Sequence, residues 1–186
     1  MKELFIEQIN KIDNPVWKDI CLDLVDKLPA YFWVTPASTS GKYHPACDLG
    51  EGGLVRHSIM VSKIAVDLVI AEIFVRDTAL NRDKALIASL FHDAWKLGII
   101  TDDTPLSETH TAFEHPVIAA SWLFGELVGK MDASAVQDIT GAVRTHMGKW
   151  TTSKYSDAVL EKPMTDFEKL VHTADYIASR KYITFE

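Results

Sequence analysis

Apolar residues recur at helical spacing along almost the whole chain of 186 residues. In the segment 54–75 they fall on one face of a helix, at positions 54, 61, 64, 65, 68 and 69. No run of residues alternates between apolar and polar as half-buried strands do. Further helices are expected at 3–28, with a break near Asn14 and Pro15, and at 82–95, 116–129 and 133–147. The pattern predicts an all-α bundle.

Local signals mark where these helices begin and which loops join them. Thr165 and Glu168 have the spacing of a capping box, which predicts the start of a last helix. Pro116 suits a first helical turn, and Asp132 is expected to cap the helix 133–147. Loops are expected at 36–53, 101–114 and 148–163. The length predicts a single domain over 1–186.

Composition restricts the class of protein. The chain is 47% hydrophobic and carries a net charge of −7, from 19 basic and 26 acidic residues. It therefore lacks the broad positive field that binds long nucleic acid or anionic membranes. Asp67 and Glu72 interrupt the longest apolar stretch, no signal peptide is recognisable, and the two cysteines show no CxxC spacing. We expect a cytoplasmic protein that does not enter membranes.

Titratable side chains interrupt the apolar faces of the expected helices. His57 and Asp175 each share a face with apolar residues, His92 and Asp93 directly follow the most apolar run, and His146 ends an apolar face. A buried carboxylate without a partner is costly, and the nearest candidates on these faces are imidazoles. A divalent metal bound by histidine and aspartate would supply the missing charge.

Taken singly, these residues have simpler interpretations. A lone histidine on an apolar face is usually a hydrogen-bonded core residue. Asp175 could cap a helix or pair with Arg180. The joint pattern favours the metal site.

The order His57, His92-Asp93, Asp175 resembles the HD-domain metal-dependent phosphohydrolase superfamily. The local strings that carry the resemblance are GGLVRHS at 52–58, ASLFHDAWKLG at 88–98 and TADYI at 173–177. It covers 36–181 and implies an HD-domain helical bundle there, with N-terminal helices in 1–35.

Two further histidines, His115 and His146, match positions that supply a second metal in the binuclear subgroup. Two subfamilies look nearest. The last third is similar to symmetrical diadenosine tetraphosphate hydrolases. The stretch 32–57 is similar to the HD domain of exoribonucleases of the YhaM type, whose extra OB domain has no room here.

The resemblance implies a ligand set for two metals. His57, His92, Asp93 and Asp175 would hold the first, and Asp93 would bridge to the second. Two such ions lower the pKa of a bridging water and neutralise phosphate oxygens. The ligand types favour manganese, iron or cobalt, with magnesium as an alternative.

Catalytic and substrate-binding candidates surround these ligands. Asp93 and Lys96 are the catalytic candidates, and Lys96 resembles the signature lysine expected to hold a phosphate oxygen. It could instead be an exposed lysine at a helix end. Trp95 could stack a base or fill the core. The other substrate-binding candidates, which could equally be solvated, are Arg56, Arg144, Lys149, Trp150 and Arg180. His44, His110 and His172 are not obvious ligands, although His44 could line the pocket and His172 could support a ligand.

The expected function is hydrolysis of a phosphoester or phosphoanhydride bond in a small, nucleotide-like substrate. One alternative is a 3′→5′ nuclease or phosphodiesterase acting on short or cyclic nucleotides. Another is a metal-containing nucleotide sensor without turnover. A homo-oligomer is also possible, because the amphipathic first helix could pack either on its own domain or on a neighbouring chain.

Overall fold

A computed structural model describes residues 1–38, 41, 44–100, 105–106 and 109–182. In these residues the chain forms seven α-helices and two short 3-10 helices, and no strand beyond an isolated bridge between Ser153 and Ser156. The α-helices are α1 (Lys2–Ile9), α2 (Pro15–Val25), α3 (Gly53–Ile70), α4 (Ala79–Phe91), α5 (His115–Leu127), α6 (Ala133–Thr145) and α7 (Asp166–Ala178), and the 3-10 helices are Ala30–Trp33 and Ala46–Asp48. The predicted all-α bundle is confirmed.

Helix α3 lies at the centre of the bundle, between α4 and α7, while α6 packs against α4, α5 and α7. One hydrophobic core takes residues from all seven α-helices. Near the N-terminus the ring of Phe5 meets those of Phe32 and Phe91 edge-on, at centroid distances of 5.5 and 5.6 Å. Edge-to-face contact is a favoured aromatic geometry, so the contact of Phe5 with Phe91 packs α1 directly against α4.

Several helix ends follow the predicted signals. The side chain of Asn14 accepts hydrogen bonds from the backbone N–H groups of Val16 and Trp17, which explains the break before α2. The capping box of Thr165 and Glu168 at the start of α7 is confirmed. Asp132 occupies the N-cap position of α6, but its side chain accepts no capping hydrogen bond, so that prediction was wrong.

Other boundaries differ from prediction. Helix α3 ends at Ile70 instead of residue 75, because the backbone turns out of the helix, with positive φ at Glu72 (52°) and Phe74 (77°). Helix α4 runs from Ala79 to Phe91 instead of 82–95, so the residues after Phe91 leave the regular helix. Of the described helices, none is long and apolar enough to cross a membrane.

Candidate metal centre

The ends of three helices and the interiors of two bring six side chains to one place in the core. Asp175 lies within α7 and its side chain is 20% exposed. The other five are at most 1% exposed. The six residues are His57 in α3, His92 and Asp93 after α4, His115 at the start of α5, His146 after α6, and Asp175.

Asp93 lies between two groups of imidazoles and turns a different oxygen to each. Its Oδ1 is 3.0 Å from Nε2 of His115 and 3.5 Å from Nε2 of His146. Its Oδ2 is 3.4 Å from Nε2 of His92. The carboxylate can therefore serve both groups at once.

Asp175 belongs to the group on the Oδ2 side of Asp93. Its Oδ1 is 3.0 Å from Nε2 of His57 and 3.9 Å from Nε2 of His92. The six residues form three overlapping sets, and within each set the potential ligand atoms lie within 4.8 Å of one another. The sets are His57–His92–Asp93, His92–His146–Asp175 and Asp93–His115–His146.

Three of the imidazoles have their tautomer set by the backbone. Nδ1 of His92, His115 and His146 donates to the carbonyl oxygen three residues earlier, at 2.7, 2.6 and 2.7 Å. A carbonyl only accepts, so Nδ1 carries a proton and Nε2 is the nitrogen that each ring turns to the centre. Hydrogen bonds of this kind orient metal-binding histidines.

The centre has buried acceptors that need a cation. Nε2 of His115 and Nε2 of His146 face each other at 3.2 Å. Within the described part of the chain, Nε2 of His92 and Oδ1 of Asp93 have no hydrogen-bond partner. Unpaired buried acceptors are costly, and a divalent cation would satisfy them together. The residues therefore fit a divalent metal, and their nitrogen and oxygen donors suit manganese, iron or cobalt.

Local charges keep the carboxylates ionised. Burial would raise the pKa of Asp93, but the charges of Lys96 and His92 outweigh it and hold that pKa well below its usual range. Nζ of Lys96 donates to Oδ2 of Asp93 at 2.8 Å. Burial acts on the pKa of Asp175 in the same way, and the hydrogen bond from His57 more than offsets it.

In the metal-free protein the pKa values of two of these imidazoles shift in opposite directions. Burial and the charge of Lys96 lower the pKa of His115 to about 4, so its ring is neutral near pH 7. Burial also acts to lower the pKa of His57, but hydrogen bonds to Asp175 and Asp48 outweigh it and raise that pKa to about 9. A metal at Nε2 of His57 must therefore displace a proton.

The comparison with known families agrees with this geometry. A family model, the HD domain, matches residues 54–180, which include all six side chains of the centre. The chain belongs to the HD-domain family. Members of that family are generally hydrolases and bind divalent metals. The chain has no significant match among the curated proteins or the solved structures.

Behind His57 lies a supporting carboxylate that the sequence patterns did not single out. Asp48 is buried, and its Oδ2 accepts from Nδ1 of His57 at 3.1 Å and from Nδ1 of His44 at 3.2 Å. Its segment lies directly against α3, since a Cβ on Gly53 would come within 2.0 Å of the Asp48 carbonyl oxygen. Asp48 ends the short 3-10 helix Ala46–Asp48, in a segment without apolar periodicity, so only its spacing from His44 could have indicated it.

Two of the arginine candidates are held by other parts of the HD domain. Nε and Nη2 of Arg56 donate to the carbonyls of Cys47 and Leu49, at 2.5 and 3.1 Å, and so brace the segment that carries Asp48. Nε of Arg144 forms an ion pair with Oε1 of Glu161 at 3.3 Å.

The remaining candidates divide between the core and the surface. The ring of Trp95 is partly buried and lies 6.1 Å from that of Trp122, which favours the core-filling alternative. Lys149, Trp150 and Arg180 come together around Tyr176, which the sequence patterns did not single out.

Proposed function

We propose that this HD domain is a metal-dependent phosphohydrolase that cleaves a phosphoester or phosphoanhydride bond of a small, nucleotide-like substrate. The observation that carries the proposal is the position of Asp93. One of its oxygens faces His115 and His146 and the other faces His92. Lys96 contacts the carboxylate from the partly exposed side. A carboxylate shared between two groups of ligands is the arrangement that a pair of metal ions needs.

The ligand assignment follows the two groups. His57, His92, Asp93 and Asp175 would hold one divalent cation, and Asp93 with His115 and His146 would hold a second. When bound, such cations supply a water of lowered pKa and positive charge for phosphate oxygens. The backbone hydrogen bonds at Nδ1 keep three of the rings in place.

Lys96 is the phosphate-binding candidate of the centre. Its side chain is 12% exposed, which leaves Nζ at the boundary between the buried ligands and the outside. A lysine ammonium acts as a compact point charge with three donors, so it can keep its contact with Asp93 and donate to a phosphate oxygen. In that position it would stabilise negative charge that develops during cleavage.

The experiment compares wild-type protein with Asp93→Ala and with Asp67→Ala, which changes an exposed carboxylate on α3. Metal content is measured by elemental analysis, and phosphate release is followed with manganese and a panel of substrates. The panel holds nucleoside mono- and triphosphates, dinucleoside polyphosphates, cyclic nucleotides and a short single-stranded RNA.

We expect wild-type protein and Asp67→Ala to bind about two metal ions per chain and to turn over a nucleotide of the panel. Asp93→Ala should lose both properties. Full activity in Asp93→Ala would overturn the mechanism. Metal binding without turnover of any panel member would favour the sensor alternative, and activity confined to RNA would favour the nuclease.

A further inference from the structure

Two stacked aromatic rings lie open on the surface next to the metal centre. The rings of Trp150 and Tyr176 are 5.9 Å apart at their centroids and inclined by 20°. Trp150 is 44% exposed and Tyr176 is 38% exposed. We call this pair the aromatic platform. A pair of stacked rings left partly exposed offers a flat apolar surface to which a planar ligand can bind.

A cation stands over each ring of the platform. Nζ of Lys149 is 5.1 Å from the Trp150 ring, and the guanidinium carbon of Arg180 is 4.1 Å from the Tyr176 ring. No carboxylate in the described ranges lies within ion-pair distance of Lys149 or Arg180. The platform therefore offers flat apolar surface together with two cations that form no ion pair with a carboxylate of the described residues.

The aromatic platform is connected to His146 and Asp175, two of the candidate ligands of the metal centre. His172 lies 6.2 Å from the Trp150 ring and 6.4 Å from the Tyr176 ring, and its Nδ1 donates to the carbonyl oxygen of His146 at 2.7 Å. Tyr176 directly follows Asp175 in α7. The platform is therefore linked to the centre through the backbone at Asp175 and through the hydrogen bond from His172 to His146.

We propose that the aromatic platform binds the base of a nucleotide substrate, while Lys149 and Arg180 attract its phosphates. The inference rests on the proposed function, because it places the phosphates toward the metal centre. The ligand must combine an aromatic face with negative charge, and a nucleotide has both. Base stacking on aromatic side chains is tolerant of base identity, so several bases should bind.

The test removes the aromatic ring and keeps an apolar side chain. Trp150→Leu is compared with Trp150→Phe, which retains a stacking ring, and with Phe124→Leu, which changes a 50% exposed aromatic residue on α5. Binding to the manganese-loaded protein is measured by calorimetric titration. The probes are the α,β-methylene diphosphates of adenosine and cytidine, and methylenediphosphonate as the matched probe without a base, all supplied as manganese complexes.

Trp150→Leu should weaken binding of both nucleotide probes by about 5- to 100-fold, in line with the measured effect of losing one stacked base. Binding of methylenediphosphonate should stay the same. Trp150→Phe should recover most of the affinity, and Phe124→Leu should match wild type. Equal changes for the probes with and without a base, or no change for either nucleotide, would overturn the proposal.

Turnover of the substrate panel separates this proposal from the proposed function. If nucleotide binding depends on Trp150 and nothing is hydrolysed, the platform stands and the phosphohydrolase fails. If a nucleotide is hydrolysed and its binding does not depend on Trp150, only the platform is overturned.

Discussion

Asp48 accepts a hydrogen bond from Nδ1 of His57 at 3.1 Å, and both side chains are 1% exposed. The other nitrogen of the same ring, Nε2, faces Asp175 at 3.0 Å. A carboxylate behind a metal-binding imidazole fixes its tautomer and raises its basicity. In the proposed ligand assignment, this pairing would prepare His57 to bind a metal through Nε2.

Replacing Asp48 by asparagine should reduce metal affinity by about 10- to 100-fold, because the amide keeps the shape of the side chain but loses its charge. Affinity is measured by manganese titration against a competing chelator, with Asp67→Asn as the control on the exposed face of α3. Wild-type affinity in Asp48→Asn would show that the hydrogen bond serves packing alone.

Removing bound metal should lower the melting temperature. The centre contains two carboxylates and four imidazoles in the core, and a ligand that binds only the folded state stabilises it by about 2.7 kcal/mol at 100 times its dissociation constant. For a chain of this length that corresponds to about 5–10 °C. Thermal unfolding with chelator, and after manganese is added back, measures the shift. Asp93→Ala should show none, and a metal-dependent shift in that variant would contradict the ligand assignment.

Without metal, stability should fall as the pH rises from 6.5 to about 9. The folded pKa of His57 is about 9, against an ordinary value of 6.5. Since the folded state holds the proton more tightly, this contribution is complete below pH 6.5 and is lost as the pH passes 9. The loss is on the order of 3 kcal/mol. Urea unfolding in the presence of chelator at pH 6.5, 7.5 and 9 measures this loss. In His57→Gln the free energy of unfolding should no longer fall with pH across that interval.

Between pH 6.5 and 4 the metal-free protein should also lose stability as the pH falls. The folded pKa of His115 is about 4, so the unfolded state binds the proton first in this interval. His44 acts in the same direction, because burial lowers its pKa despite the hydrogen bond to Asp48. Urea unfolding at pH 5 and 6.5 should show a smaller difference in His115→Gln than in wild type, and an equal difference would contradict the assignment.

Gly148→Ala should destabilise the protein by about 1–3 kcal/mol or more. Gly148 has a φ of 63°, and a Cβ there would come within 2.0 Å of the His172 ring, which holds the carbonyl of His146. Gly125→Ala is the matched control, since a Cβ at Gly125 has nothing within 4 Å and alanine favours a helix. Thermal unfolding compares the two, and equal melting temperatures would contradict the close approach of His172.

Much of the fold could be predicted because helical periodicity is a local property. His57 and Asp175 were recognisable as inward-facing because each shares a face with apolar residues one and two turns away. The end of α3 was predicted too late, since residues 71–75 are still largely apolar and the positive φ angles at Glu72 and Phe74 leave no signal in the pattern.

The residues that the patterns did not single out lie where periodicity carries no information. Asp48 is in a loop, and its burial depends on how that loop folds against α3. Tyr176 looks like an ordinary half-exposed tyrosine on α7, and only the path of the segment after α6 brings Trp150 to its face. The predictions in residues 101–104 and 107–108, part of the expected 101–114 loop, lie outside the described residues.

The amino-acid sequence by itself determined where most of the helices lie and the inward position of His57 and Asp175, because apolar burial selects one face of each helix regardless of its neighbours. The tertiary structure alone decided which oxygen of Asp93 faces which imidazole and that Asp48 supports His57. It also decided that two cations and two rings form one surface beside the centre. These relationships join side chains far apart in the chain, and their distances depend on how the helices pack.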